Sequence, residues 1–547
     1  MDHRSGRSAT DSPADPPPDL PEPGRYGWGT TVVTEPVDGI PFRMFRPRPH
    51  RVGDLLCEAR RWPDAVHLVH GDGSLTFADL ERAARCGAAD LRTRSIGVGD
   101  RVAICGWNTL AWVVSFWSVM VSGATAVLLN PACSKAERDQ VLAATAPKLV
   151  LDDTGQLIGA HPMPLFARLA TCVTPVPKLS TMGSDEDPAV IVFTSGTTSA
   201  PRGAVLTHRA VIAAQHDVLF ATSKLPDMLP AEWRGDVQLQ TIPLFHIGGF
   251  QQLISALLTR GRMVFLKDRF DPAEVLALIE THSVRRWGAI PTMLTRVLNH
   301  PDASTRDLSS VRVVGLGGAP VSSALTAKLT SIFPNATSGG GQVYGMSEAG
   351  GLITTAAGDP NRPTGSAGRA LPLVEIRIDG GQRGEILVRS PAQMSGYYGQ
   401  PDSPIDGEGW LHTGDVGHLD DDGYLYISGR SKDMIIRGGE NISPAQVEAA
   451  LLAHPEVLEA AVIGLPDADL GEIVAACVVV AATGTSTVDS ATLRDFLRGR
   501  VASFAAPSRW WLRTEPLPTN ASGKVVKRDI AGHWPVDTGD ATRGGQS

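Results

Sequence analysis

The sequence predicts an α/β protein with a large leading unit and a smaller α+β unit behind it, on three observations. From about residue 50 to 430, apolar strand-type runs alternate with helix-type segments, the pattern of a fold rich in parallel sheet. After Asp420-Asp421-Asp422-Gly423, a turn signal, the pattern becomes more compact. The 547 residues also exceed what one ordinary core absorbs, so two or more domains are expected.

Taken in order, residues 1–25 read as a disordered leader. Met1 to Gly24 is rich in Pro and Asp and lacks the apolar run of a signal peptide. Segments 102–104, 189–193, 264–266 and 311–314 read as strands, and 272–282 and 323–333 as helices. The uncharged run 110–129 has the length of a membrane span. A helix over 110–121, a break at Ser122-Gly123 and a strand over 124–129 explain it better, because Gly123 sits where a helix cap belongs and no Lys/Arg cluster closely flanks the run. Beyond the turn, 424–428 alternates as a strand. Ser443, Pro444 and Gln446 then read as an N-cap, first helical residue and capping box. Val447 and Leu451 share one face of that helix, and 474–480 is a strongly apolar strand. A unit of about a hundred residues therefore begins near 430, and the polar tail 534–547 reads as loose.

Composition removes some function classes. Net charge is −8 at pH 7, so there is no basic excess to meet a nucleic acid. The six cysteines, Cys57, Cys86, Cys105, Cys133, Cys172 and Cys477, form no Cys-x-x-Cys pair. That argues against a zinc site or a disulfide framework and for a reducing, cytoplasmic setting.

Chemistry first appears in the loop Thr194-Ser195-Gly196-Thr197-Thr198-Ser199-Ala200-Pro201-Arg202-Gly203, which follows the strand 189–193. Small residues let backbone N–H groups approach an anion, hydroxyls add donors and Arg202 adds charge. By its own letters the loop fits a polyphosphate cradle and a Ser/Thr-rich surface turn equally. It is not a Walker A loop, because Arg202-Gly203-Ala204 stands where Gly-Lys-Ser/Thr is needed.

Further clusters follow in order: Pro243-Leu244-Phe245-His246 before Gly248-Gly249, Gly317-Gly318-Ala319-Pro320, and Tyr344-Gly345-Met346-Ser347-Glu348. Gly409-Trp410-Leu411-His412-Thr413-Gly414-Asp415, Gly429-Arg430-Ser431-Lys432-Asp433 and Pro516-Leu517-Pro518-Thr519-Asn520-Ala521-Ser522-Gly523-Lys524 complete the set. Together they resemble the adenylate-forming superfamily of acyl-CoA synthetases, luciferases and nonribosomal-peptide adenylation domains. The resemblance runs from Leu75-Thr76-Phe77 to Lys524. The Pro-Leu-Phe-His cluster and Arg437-Gly438-Gly439-Glu440-Asn441-Ile442 look most like the acyl-CoA synthetases.

The resemblance implies a large ATP- and acyl-binding domain over 26–430, with several sheets, and a small mobile domain over 431–533. It implies that Thr194, Ser195, Gly196, Thr197, Thr198, Arg202 and Ser347 hold the ATP phosphates and that Glu348 holds Mg²⁺. Gly317, Gly318, Ala319, Gln342, Tyr344, Gly345, Asp415 and Arg430 would hold adenine and ribose. Lys524, with Glu348 and Thr194, would carry adenylation. Lys432 would be the hinge, and Gly438 and Gly439 would line the channel for CoA. Taken singly, Glu348 also reads as a helix-start carboxylate, Tyr344 as a core aromatic and Asp415 as a turn aspartate. Arg430 and Lys524 also read as surface cations.

Ser199, Arg202 and Ser347 stand where glycine, lysine and threonine are usual in the resemblance. Arg202 keeps charge but is bulkier and forked, so altered pyrophosphate handling is expected. Between Thr241 and Lys267 there is no acid to pair an amino group. His246, Ile247, Phe250, Ile290, Leu316 and Met346 are therefore expected to line a pocket for an apolar carboxylic acid, fatty, aryl or polycyclic. His246 reads as a gate or as a core histidine. Expected partners are that acid, ATP and CoA, with a homodimer or a separate carrier protein as further candidates. No carrier domain follows Lys524. Adenylation alone, a luciferase-like oxygenase and a non-catalytic nucleotide-binding module are the alternative activities.

Overall fold

A computed structural model describes residues 22–155, 157, 160–163, 183–194, 201–317, 323–336, 342–356, 359, 361–363, 365–480, 488–520 and 523–535. Residues 1–21 of the leader, the loop residues Ser195 to Ala200, Gly318 to Pro320, Cys172 and most of the tail lie outside them.

Among the described residues, two large sheets form the first part of the chain. One has seven strands, in the order Gly396–Tyr397, Arg202–Thr207, Pro188–Thr194, Thr125–Leu129, Arg101–Cys105, Leu149–Asp152 and His161–Pro162. The other has nine, and its centre is the parallel set Gln342–Met346, Val313–Gly317, Arg286–Ala289, Val237–Gln240, Arg262–Phe265 and Val66–His70. Their facing sides enclose the main core. Helix Leu110–Ser122 lies there, with Trp112, Phe116 and Trp117 fully buried. The far face of the nine-stranded sheet has its own core with helices Pro272–His282, Pro291–Leu298 and Ser323–Ile332.

The apolar run 110–129 splits as expected. Thr109 caps the helix, Gly123 ends it at φ +83°, and strand Thr125–Leu129 follows. No helix among the described residues is long and apolar enough to cross a membrane. Helix Pro272–His282 has the expected bounds. Two strands sit a little away from theirs, at Arg262–Phe265 and Val313–Gly317. Val311 is fully buried without being in a strand, so burial alone misplaced the edge.

A four-stranded sheet, Glu375–Asp379, Gly384–Arg389, Leu411–Leu419 and Leu425–Arg430, precedes the last unit. That unit is a sheet of Glu440–Ile442, Ile435–Arg437, Gly471–Val480 and Val457–Asp467, with Arg509–Arg513 added parallel to Gly471–Val480. Its apolar residues form cores of their own on the two sides of this sheet. Ser443 Oγ accepts from the Gln446 N–H at 3.4 Å, so the N-cap of helix Pro444–Leu452 is present.

Candidate active site

The Ser/Thr-rich loop joins two antiparallel strands. Thr194 ends one and Arg202, opposite it, begins the next. The strand Arg202–Thr207 also pairs with Gly396–Tyr397, and the Arg202 guanidinium lies 5.4 Å from the centre of the Tyr397 ring. The Tyr397 hydroxyl donates to Glu348 Oε1 at 3.0 Å. Burial, then the Glu348 charge, push the Tyr397 phenol up to about 12. Glu348 is itself 8% exposed. It lies in a tight turn closed by the Gly350 N–H to Ser347 O bond, and Gln251 Nε2 donates to Gly350 O.

A second constellation adjoins it. Tyr344 and Asp415 are 8% and 6% exposed, and the Tyr344 hydroxyl donates to Asp415 Oδ2 at 2.6 Å. Arg430 lies across the strand pair from Asp415 and forms an ion pair with it, Nε 3.2 Å from Oδ1. Oδ2 accepts the Tyr344 bond, and both oxygens retain capacity for further donors. Tyr344, a residue the resemblance assigns to the nucleotide, is thus tied through its hydroxyl to Asp415, another such residue. Gly345 and Ser347 follow it along the same turn, and Gly317 sits at the end of the neighbouring strand. Gln342 opens the strand that carries Tyr344.

Lys524 arrives from the last unit. Its loop closes on itself, with Asn520 N–H donating to Lys524 O and Gly523 N–H to Asn520 O, both at 2.8 Å. Thr292 Oγ1 donates to Gly523 O at 3.1 Å, fastening the loop to the start of helix Pro291–Leu298. Lys524 retains solvent contact, yet protein surrounds it closely enough to lower its pKa. Burial is the larger cause and Arg430 the next, against the opposing pull of Asp415 and Glu348. His246 is lowered to about 4, by burial first and then by Lys524. Its Nε2 is buried without a hydrogen-bond partner, and at neutral pH the ring is uncharged.

The expected acyl-lining residues divide. His246, Ile247, Ile290 and Met346 keep partial exposure, and Ile290 meets the Lys524 loop. Phe250 is fully buried, its ring 6.2 Å from that of Phe116, and Leu316 lies in the core on the far face of the sheet. Alternation along the strand puts Gly315 and Gly317 on the opposite face instead. Gly315, Gly288 and Gln240 are in register across three strands. A side chain at Gly315 would meet no atom within 4 Å, and one at Gly288 would meet Gln252 Nε2 at 2.9 Å. This lane under helix Ile247–Leu258 ends in an amide cluster. Gln238 Nε2 donates to Gln252 Oε1 at 2.6 Å and to Gln240 Oε1 at 3.2 Å.

Residues 57–398 match the model of the AMP-binding enzyme family, and residues 446–524 match that of the AMP-binding enzyme C-terminal domain. The chain belongs to the AMP-binding enzyme family. It is an AMP-forming acid–thiol ligase. It is 34% identical to a feruloyl-CoA synthase of Amycolatopsis over 493 residues, which cover 86% of this chain and 96% of the relative. It is 30% identical to a long-chain-fatty-acid–CoA ligase of Bacillus subtilis, over 91% of this chain and 97% of the relative. The o-succinylbenzoate CoA synthetase of Bacillus subtilis, solved with its acyl-adenylate intermediate, superimposes with a TM-score of 0.73 at 30% identity, covering 87% of this chain and 97% of that one.

Within this family member, sequence reasoning passed over three residues that shape the site. Tyr397 meets Glu348, and Gln251 ties down the turn behind it. Asn108 clamps the His246 segment, accepting from Leu244 N–H at 2.7 Å and donating to Ile242 O at 3.0 Å. No local signal marks them, because their partners lie 49 to 136 residues away. Lys432 sits in the short turn Ser431–Asp433, directly after Arg430. Gly438 and Gly439 form the two-residue turn between Ile435–Arg437 and Glu440–Ile442, at φ +57° and +87°. A tight hairpin of this kind needs positive φ at both positions, which accounts for the glycines apart from any role toward a ligand.

Proposed function

We propose that this enzyme activates an uncharged, largely apolar carboxylic acid with ATP and passes the acyl group to CoA. The observation that carries this reading is the convergence of Glu348, Asp415, Arg430 and Lys524, brought from four separate segments to within electrostatic reach. In the first step a carboxylate oxygen attacks the α-phosphorus, the bond to the bridging oxygen breaks, and pyrophosphate leaves with the electron pair. Lys524 supplies positive charge where oxygens gain negative charge. Asp415, still able to accept on both oxygens, takes the ribose hydroxyls. Tyr344, Gly345 and Gln342, with Gly317 and the neighbouring Gly318 and Ala319, hold the base. Thr194 to Thr198, Arg202 and Ser347 hold the phosphates.

Glu348 fits a magnesium site. It offers hard carboxylate oxygen and little else, and Mg²⁺ commonly takes one or two carboxylates with the substrate phosphates. When bound, Mg²⁺ offsets phosphate charge. In the second step the CoA thiolate attacks the acyl carbonyl and AMP leaves, so no protein nucleophile is required. The division at about 430, into 26–430 and 431–533, lets the second unit turn about Lys432 between the steps. Lys524 then withdraws, and the Gly438-Gly439 turn lines the CoA path. The acid's tail runs from His246, past Ile247, Ile290 and Met346, into the lane over Gly288 and Gly315.

ATP–pyrophosphate exchange over a panel of fatty, aryl and polycyclic acids, with and without CoA, tests this reading. Acid-dependent exchange with thioester formed on adding CoA supports it. Exchange without thioester moves the acceptor to a separate carrier protein, and no exchange with any acid refutes it.

A further inference from the structure

We infer that Tyr397 is a positioning residue of this site. Its hydroxyl holds Glu348 in orientation for the nucleotide's magnesium, and its ring carries Arg202 for the phosphates. The inference rests on the proposed function above and adds a residue to it.

The backbone fixes Tyr397 from two sides. Ser395 N–H donates to Val205 O at 2.9 Å and Tyr398 N–H to Gly203 O at 2.8 Å, stitching the segment to the strand that leaves the phosphate loop. Met394 N–H donates to Glu348 O at 2.9 Å, stitching it to the turn that carries the carboxylate. Tyr397 therefore spans the gap between loop and carboxylate, with little freedom in its backbone. The 3.0 Å bond to Glu348 Oε1 uses one acceptor position and fixes the carboxylate plane. The hydroxyl donates, so it occupies one position on Oε1 and leaves the remaining carboxylate positions open to a cation. The Arg202 guanidinium meets the Tyr397 hydroxyl and lies 5.4 Å from the ring centre, so it gains both a polar contact and an aromatic support that lysine, lacking a flat delocalised head, would use less well. This gives the off-pattern arginine a partner of its own.

Two substitutions separate the two functions of the side chain. Tyr397→Phe keeps the ring and removes the hydroxyl, and Tyr397→Leu removes both. Binding of Mn²⁺ by the protein, with a non-hydrolysable ATP analogue present, is read from the loss of its free-ion resonance signal beyond the loss that the analogue alone causes. Tyr397→Phe is expected to weaken Mn²⁺ binding about 10-fold or more, as for other residues that orient a metal-holding carboxylate. The affinity for metal-free analogue should fall less than in Tyr397→Leu, because the ring still supports Arg202. Tyr397→Leu is expected to lose both. Tyr398→Phe, altered at the neighbouring position, should match the parent. If Tyr397→Phe binds Mn²⁺ like the parent, the positioning role is wrong. If Tyr397→Leu keeps the parent's affinity for the analogue, the support of Arg202 is wrong. If the parent itself shows no nucleotide-dependent Mn²⁺ binding, the proposed function fails instead.

Discussion

Gly523→Ala is expected to slow adenylation while sparing thioester formation. A β-carbon at this position would stand 2.2 Å from Ile290 Cδ1, with Met293 Cε at 3.6 Å. That is about 1.5 Å inside ordinary carbon contact. Cδ1 is the far end of a partly exposed side chain, so Ile290 turns aside at a rotamer cost of about 0.5–1.5 kcal/mol. The cost exists only while the Lys524 loop is docked against Ile290. It therefore weakens the adenylating arrangement about 2- to 13-fold relative to the alternative one. Gly523 also holds φ +76°, which costs alanine about 1–2 kcal/mol. That second cost arises inside the loop, from the bonds between Asn520 and Lys524. It is present docked or undocked and lowers thermal stability alone. The assay compares ATP–pyrophosphate exchange with thioester formation from chemically prepared acyl-adenylate. The expected result is about a 2- to 13-fold loss in exchange, with thioester formation unchanged. Equal loss in both half-reactions, or no loss in exchange, would refute the argument that the contact belongs to one arrangement only.

Four further outcomes follow from the structure. Lys524→Met should cut exchange by about 100-fold or more and spare thioester formation from the adenylate. Because burial and Arg430 lower the Lys524 pKa, the parent's exchange should fall off at a pH below the ordinary lysine range, and Lys524→Arg should lose that limb. Gly315→Val adds bulk where no atom lies within 4 Å. It should fold normally, keep turnover of short acids and raise KM for long ones about 10-fold or more; unchanged KM for long acids would move the acyl tail elsewhere. Asp217 is buried, and both its oxygens lie within 3.2 Å of Leu373 N–H. Burial, opposed by that bond and by Arg43, pushes its pKa up to about 7. The folded state then binds the proton more tightly than the unfolded chain, so this group lowers stability as pH rises from about 4 to about 7. Asp217→Asn, which keeps an acceptor for Leu373, should gain up to about 4 kcal/mol above that window. Its melting-temperature advantage should widen from pH 5 to pH 8, and an advantage that is constant or shrinking with pH would contradict the assignment.

The sequence by itself determined what depends on neighbours along the chain. The break at Gly123, the bounds of helix Pro272–His282 and the Ser443 cap are local matters of backbone freedom and short-range hydrogen bonding. The α/β class and the family were also legible, because ordered motifs survive as text. What only the tertiary structure decided is which side chains meet. Leu316 and Gly315 are adjacent letters, yet the strand's alternation sends one into the core and leaves the other on the open lane. Tyr344 and Asp415, 71 residues apart, share a hydrogen bond, and Tyr397 reaches Glu348 only because its strand pairs with strand Arg202–Thr207. Contacts of this kind are fixed by sheet register and chain crossing, which are set by the packing of the whole core and by no short run of residues.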